Sequence, residues 1–74
     1  MPDSPNIPAI AAALELDPAL ITHTDLEGHR HLLTFPSGTS PLAVDVAWRG
    51  VHPTNAAANL MTNADGVHLR LFFF

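Results

Sequence analysis

The chain has 74 residues and a formal net charge of −4, with seven acidic residues against three arginines and no lysine. Charged residues make up 14% and apolar residues 47%, which excludes a charge-rich disordered chain and leaves few cations for gripping a phosphate backbone. Cysteine is absent, so neither disulfides nor a thiolate zinc site can staple a fold that buries only about 60% of its unfolded surface.

Residues 1–6 hold Pro2 and Pro5 among small residues and read as an irregular N-terminal arm, leaving 7–74 as one small domain. Asn6 suits an N-cap, Pro8 falls in the first turn, and Ile7, Ile10, Ala11 and Leu14 follow helical spacing, which predicts a helix over 7–16. Asp17-Pro18 starts one or two further helical turns. The β-branched run from Ile21 then predicts a strand over 21–25. A turn at 26–28 joins it to a second strand over 29–35, a hairpin pattern. Pro36-Ser37-Gly38 is a break. Leu42, Val44, Val46 and Trp48 alternate with Ala43, Asp45 and Ala47, which predicts a half-buried strand over 42–48 closed by Arg49-Gly50. Pro53 keeps 52–54 out of a central strand.

Residues 54–62 allow two readings. Thr54 caps a short helix carrying Ala57, Leu60 and Met61, the favoured one. Alternatively 58–62 is a strand running into a turn at Asn63-Ala64-Asp65-Gly66. Val67, Leu69, Leu71 and Phe73 lie on one face of a last strand, with His68, Arg70, Phe72 and Phe74 on the other. No internal repeat is seen. The fold class expected is α+β: an N-terminal helix packed on a small antiparallel sheet of three to five strands, open or closed into a barrel, with a second short helix at about 54–62.

Four constellations bear on function. If Asp25 pairs with His29 across the first hairpin, His23 stands opposite His31. His23, Asp25, His29 and His31 then form a candidate zinc set, whose plainer reading is a group of surface histidines. Protonating all five histidines would reverse the formal charge of −4, so a pH response is physically available. Second, Phe72 and Phe74 share a face with Arg70, and a domain this small has little to cover both faces of a terminal strand. This predicts a partner-binding surface of Phe72, Phe74 and Arg70, joined by Trp48 and Arg49, residue types enriched at interface centres.

Third, residues 10–21, Ile-Ala-Ala-Ala-Leu-Glu-Leu-Asp-Pro-Ala-Leu-Ile, resemble the second helix, turn and third-helix start of many bacterial regulators. The resemblance implies a winged helix-turn-helix transcriptional regulator with the following hairpin as wing. It departs at the would-be recognition helix, Leu20 to Asp25, which has no arginine, lysine, asparagine or glutamine. Fourth, no nucleophile motif, glycine-rich phosphate loop or HExxH is present, so catalysis is not expected and no cofactor is implied.

The sequence therefore points to a small non-enzymatic protein–protein interaction module. It would associate with itself as a homo-oligomer or dock onto a larger protein, as a phage or virus accessory subunit or an inhibitor of a host protein would. The overall acidity favours a basic partner and disfavours nucleic acid. A winged helix-turn-helix regulator and a histidine-bound metal protein are the alternatives. No apolar run approaches the roughly 20 residues of a membrane span, and the N-terminus lacks the basic region of a secretory signal. The expected address is cytoplasmic, that of the host cell if phage-encoded.

Overall fold

A computed structural model describes residues 5–51 and 54–74. The expectations for residues 1–4 and for Pro53 lie outside these. The elements are α1 (Ile7–Leu14), a single 3-10 turn (Pro18–Leu20), β1 (Thr22–Leu26), β2 (Arg30–Phe35), α2 (Pro41–Val51), β3 (Ala56–Asn63) and β4 (Gly66–Phe73). The strands form one open antiparallel sheet in the order β1-β2-β4-β3. This is an α+β fold with the N-terminal helix packed on the sheet.

Helix α1 begins where Asn6 Oδ1 accepts the N–H of Ala9 at 3.3 Å. It ends two residues earlier than its spacing predicts, because Glu15 turns left-handed at φ 56°. The N–H groups of Glu15 and Leu16 then close on the carbonyls of Ala12 and Ala11, which satisfies the last turn as a Schellman motif does. Asp17 caps the 3-10 turn by accepting the Ala19 N–H at 3.0 Å. A strand, not a recognition helix, follows at Thr22, so the helix-turn-helix resemblance of 10–21 does not extend to the backbone.

The strand expected over 42–48 is instead the middle of α2. Leu42, Val44, Val46 and Trp48 do alternate, but Val44, Ala47, Trp48 and Val51 also recur at helical spacing, and Val44, Ala47 and Trp48 are buried. Local start chemistry decides between the two periods. Ser40 Oγ accepts the N–H of Ala43 and its carbonyl accepts that of Val44, with Pro41 in the first helical position. Conversely, the helix expected at 54–62 is strand β3. Asn55, Asn59 and Thr62 are poor interior helix residues, and all eight positions of β3 pair with β4. The turn after it was the alternative reading of the sequence. Asn63 Oδ1 accepts the Asp65 N–H at 2.8 Å, and Gly66 takes φ +129°.

The element order repeats a helix-and-hairpin unit, although the sequence displays no repeat. β2 and β4 meet antiparallel at the centre of the sheet, with Leu32 opposite Arg70 and Leu33 opposite Leu69. The core lies between the helices and one face of the sheet. Ile10, Ala11, Val44, Ala47 and Trp48 pack onto Leu33, Phe35, Val67, Leu69, Leu71 and Phe73.

Candidate interaction surfaces

Alternation along each strand sorts the histidine cluster first. The first hairpin turns at 27–29, one residue later than predicted, so Asp25 stands opposite His31 and His23 opposite Leu33. That register keeps His23, Asp25 and His31 on the core-facing side. It puts His29 in the turn, at φ 63°, away from the other three. His31 is buried; its Nδ1 lies 2.9 Å from His23 Nε2 and 3.9 Å from Asp25 Oδ1. One imidazole donates and the other accepts, and the edge of the pair rests on Phe73. Among the described residues no group of three or more histidines and carboxylates is placed to hold a metal.

The pair acts as a polar seal at the margin of the core. His23→Ala removes the partner of a buried nitrogen. We expect a loss of about 1 kcal/mol, read as a fall in Tm of roughly 4–8 °C. His31→Leu placed in the His23→Ala background should recover most of it. A double-mutant cycle by urea unfolding checks this; a His23→Ala variant as stable as the parent would show that the bond contributes nothing.

The predicted partner-binding residues fall in different places. Trp48 is 6% exposed and belongs to the core. Arg49 lies on α2, its Nε 3.0 Å from Asp45 Oδ2. Phe74 follows β4, its N–H donating to the Asn55 carbonyl and its ring largely exposed. Arg70 and half-buried Phe72 lie on the sheet face away from the helices. There they are joined by a residue that sequence reasoning passed over: Arg30 on β2, directly opposite Phe72.

That outer face can be written row by row from the register. Arg30, Phe72 and Ala57 form one row; Leu32, Arg70 and Asn59 the next; Thr34, His68 and Met61 the third. Thr22, Thr24 and Leu26 of β1 complete it. Asn63 accepts a backbone N–H from Asp65, so its Oδ1 is an acceptor; His68 Nε2, 3.2 Å away, donates to it, and Thr34 Oγ1 is hydrogen-bonded to Nδ1 at 3.1 Å. His68 is thereby held in place between Thr34 and Asn63. Arg30 is anchored by its Nε donating to the Glu27 carbonyl at 2.7 Å.

The charge on this face is one-sided. It carries two of the three arginines, while the described carboxylates stand elsewhere. Glu15 and Asp17 cap helical turns, Asp45 is on α2, Asp25 faces His31, and Glu27 and Asp65 are in the hairpin turns. A second apolar surface is a shallow groove of about 600 Å³ between the helices, lined by Ala13, Leu42, Ala43, Val46 and Gly50, with Leu42 71% and Val46 61% exposed. No described helix is long and apolar enough to cross a membrane. Comparisons with protein-family models, with curated proteins and with solved structures each found no match.

Proposed function

We propose that this protein is a non-catalytic interaction module that docks a partner protein on the uncovered face of its sheet. The observation that supports this most is the segregation of charge. A chain with a formal charge of −4 presents Arg30 and Arg70 around Phe72 and Leu32 on a face without a described carboxylate. An aromatic flanked by arginines, set in an apolar centre with a polar rim of threonine and asparagine, has the composition of a binding hot spot. Overall acidity argues for a basic partner; the local charge of this face argues for an acidic one, and local charge governs docking at contact distance. An accessory subunit or inhibitor that works by covering another protein's surface, in the cytoplasm, fits this reading.

The test uses short extended peptides alternating glutamate with leucine or phenylalanine, and the same set with lysine for glutamate. Backbone amide shifts should move at Arg30, Leu32, Thr34, His68, Arg70 and Phe72 with the acidic set alone. Arg30→Glu/Arg70→Glu should abolish the response while leaving the circular dichroism spectrum unchanged. Shifts confined to the helices, or a response to the lysine set, would refute the proposal. A single-stranded oligonucleotide moving the same amides more strongly than the acidic peptides would replace protein docking with nucleic-acid binding, where arginine and aromatic side chains serve as a stacking platform.

A further inference from the structure

The two edges of the sheet differ. β1 has five residues and turns His23 and Asp25 toward the core side, devices that blunt an edge against further pairing. β3 has eight residues, Ala-Ala-Ala-Asn-Leu-Met-Thr-Asn, without a charge or a proline. Its backbone polarity follows from the ladder. The Phe74 N–H donates to the Asn55 carbonyl and the Phe73 N–H to the His29 carbonyl, so successive residues of β4 bond alternately to β3 and β2. In β3 the groups turned toward β4 are therefore those of Ala57, Asn59, Met61 and Asn63. The N–H and C=O groups of Ala56, Ala58, Leu60 and Thr62 point away from the sheet. Two large apolar side chains stand at the middle of this edge on opposite faces, Leu60 at 36% and Met61 at 40% exposure.

We propose that β3 pairs with β3 of a second copy of this chain, antiparallel, about a two-fold axis normal to the sheet. A self-complementary occupant is favoured because the edge is neutral, and because one register uses every free group. Centred on Asn59, it sets Ala58 opposite Leu60 of the second copy and Ala56 opposite Thr62, so all four outward N–H groups of each chain find carbonyls. The arrangement is isologous and closes at two copies. It also fills a space. A groove of about 290 Å³ between α2 and β3, lined by Asp45, Trp48, Arg49, Ala58, Leu60 and Leu69, opens beside the edge, and Leu60 of the second copy arrives opposite Ala58 at its mouth. The product is a continuous eight-stranded sheet with all helices on one side and both Arg30–Phe72–Arg70 faces on the other. This pairing does not depend on what docks on the open face.

Sedimentation equilibrium of the full chain tests it. The wild type should run at twice 7.9 kDa. Ala58→Pro removes an outward N–H without touching the β3–β4 ladder, a substitution edge strands tolerate, and should run at the monomer mass with an unchanged circular dichroism spectrum. Leu60→Lys, which charges the edge, is the second variant and should behave alike. Thr24→Lys, on the opposite edge, should stay dimeric. A measurement without variants stands beside these: amide exchange at Ala56, Ala58, Leu60 and Thr62 should slow as protein concentration rises. A monomeric wild type, a dimer that persists in folded Ala58→Pro or Leu60→Lys, dissociation by Thr24→Lys, or concentration-independent exchange at those four amides would each overturn the proposal.

Discussion

Phe35→Ala is expected to unfold much of the population at physiological temperature. Phe35 ends β2, is almost wholly buried, and is the largest of the fully buried side chains. Deleting a buried phenylalanine costs about 3–5 kcal/mol, part lost transfer energy and part unfilled cavity. A chain of 74 residues has about 4–11 kcal/mol to lose at roughly 0.05–0.15 kcal/mol per residue. The lower end of that range is consumed by this one change. A thermal scan followed by far-ultraviolet circular dichroism should place Tm at least about 12 °C lower. A fall of under about 4 °C, equivalent to less than 1 kcal/mol, would mean that Phe35 does not anchor the core.

The second large effect sits against the same residue. A Cβ added to Gly66 would lie 2.8 Å from the Phe35 carbonyl oxygen, a backbone atom that cannot swing aside, and Gly66 holds φ +129°. Gly66→Ala must therefore shift the start of β4 away from the end of β2, and should cost at least about 2 kcal/mol, within the range of strained backbone positions. Gly38 is the control. It too has positive φ, at +93°, but a Cβ there meets nothing within 4 Å, so Gly38→Ala should lose less. Urea midpoints rank the two variants. Equal midpoints would show that conformation alone, and not the approach of Phe35, makes Gly66 necessary.

What was legible in the sequence was what local chemistry decides. Asn6 and Asp17 announce their helical turns with side-chain oxygens that do accept the expected N–H groups. Val67 to Phe73 alternate cleanly enough to fix the buried face of β4. The failures come where two periods fit one stretch. Residues 42–48 satisfy an alternation of two as well as a helical stripe, and Ser40-Pro41, which starts α2, lay just outside the window read as a strand. β3 has a weak pattern of its own; its state is set by pairing with β4, a contact that no local rule carries. The candidate surface is half legible for the same reason. Arg70 and Phe72 share a strand and so share a face, but Arg30 reaches them only through the β2–β4 register. Trp48 is placed at the interface by residue type, since tryptophan is enriched at interface centres; with its segment a helix, the indole turns inward.

That inward turn has a practical corollary. The chain has one tryptophan and no tyrosine, so its intrinsic fluorescence is a single-site signal. Light emitted from Trp48 reports how helix α2 is seated on β4 and beside β3, and is silent about the far end of the hairpins. An optical trace and a whole-backbone probe that disagree would therefore reveal the helix peeling off ahead of the sheet, a partial opening that a protein with several fluorophores would average away.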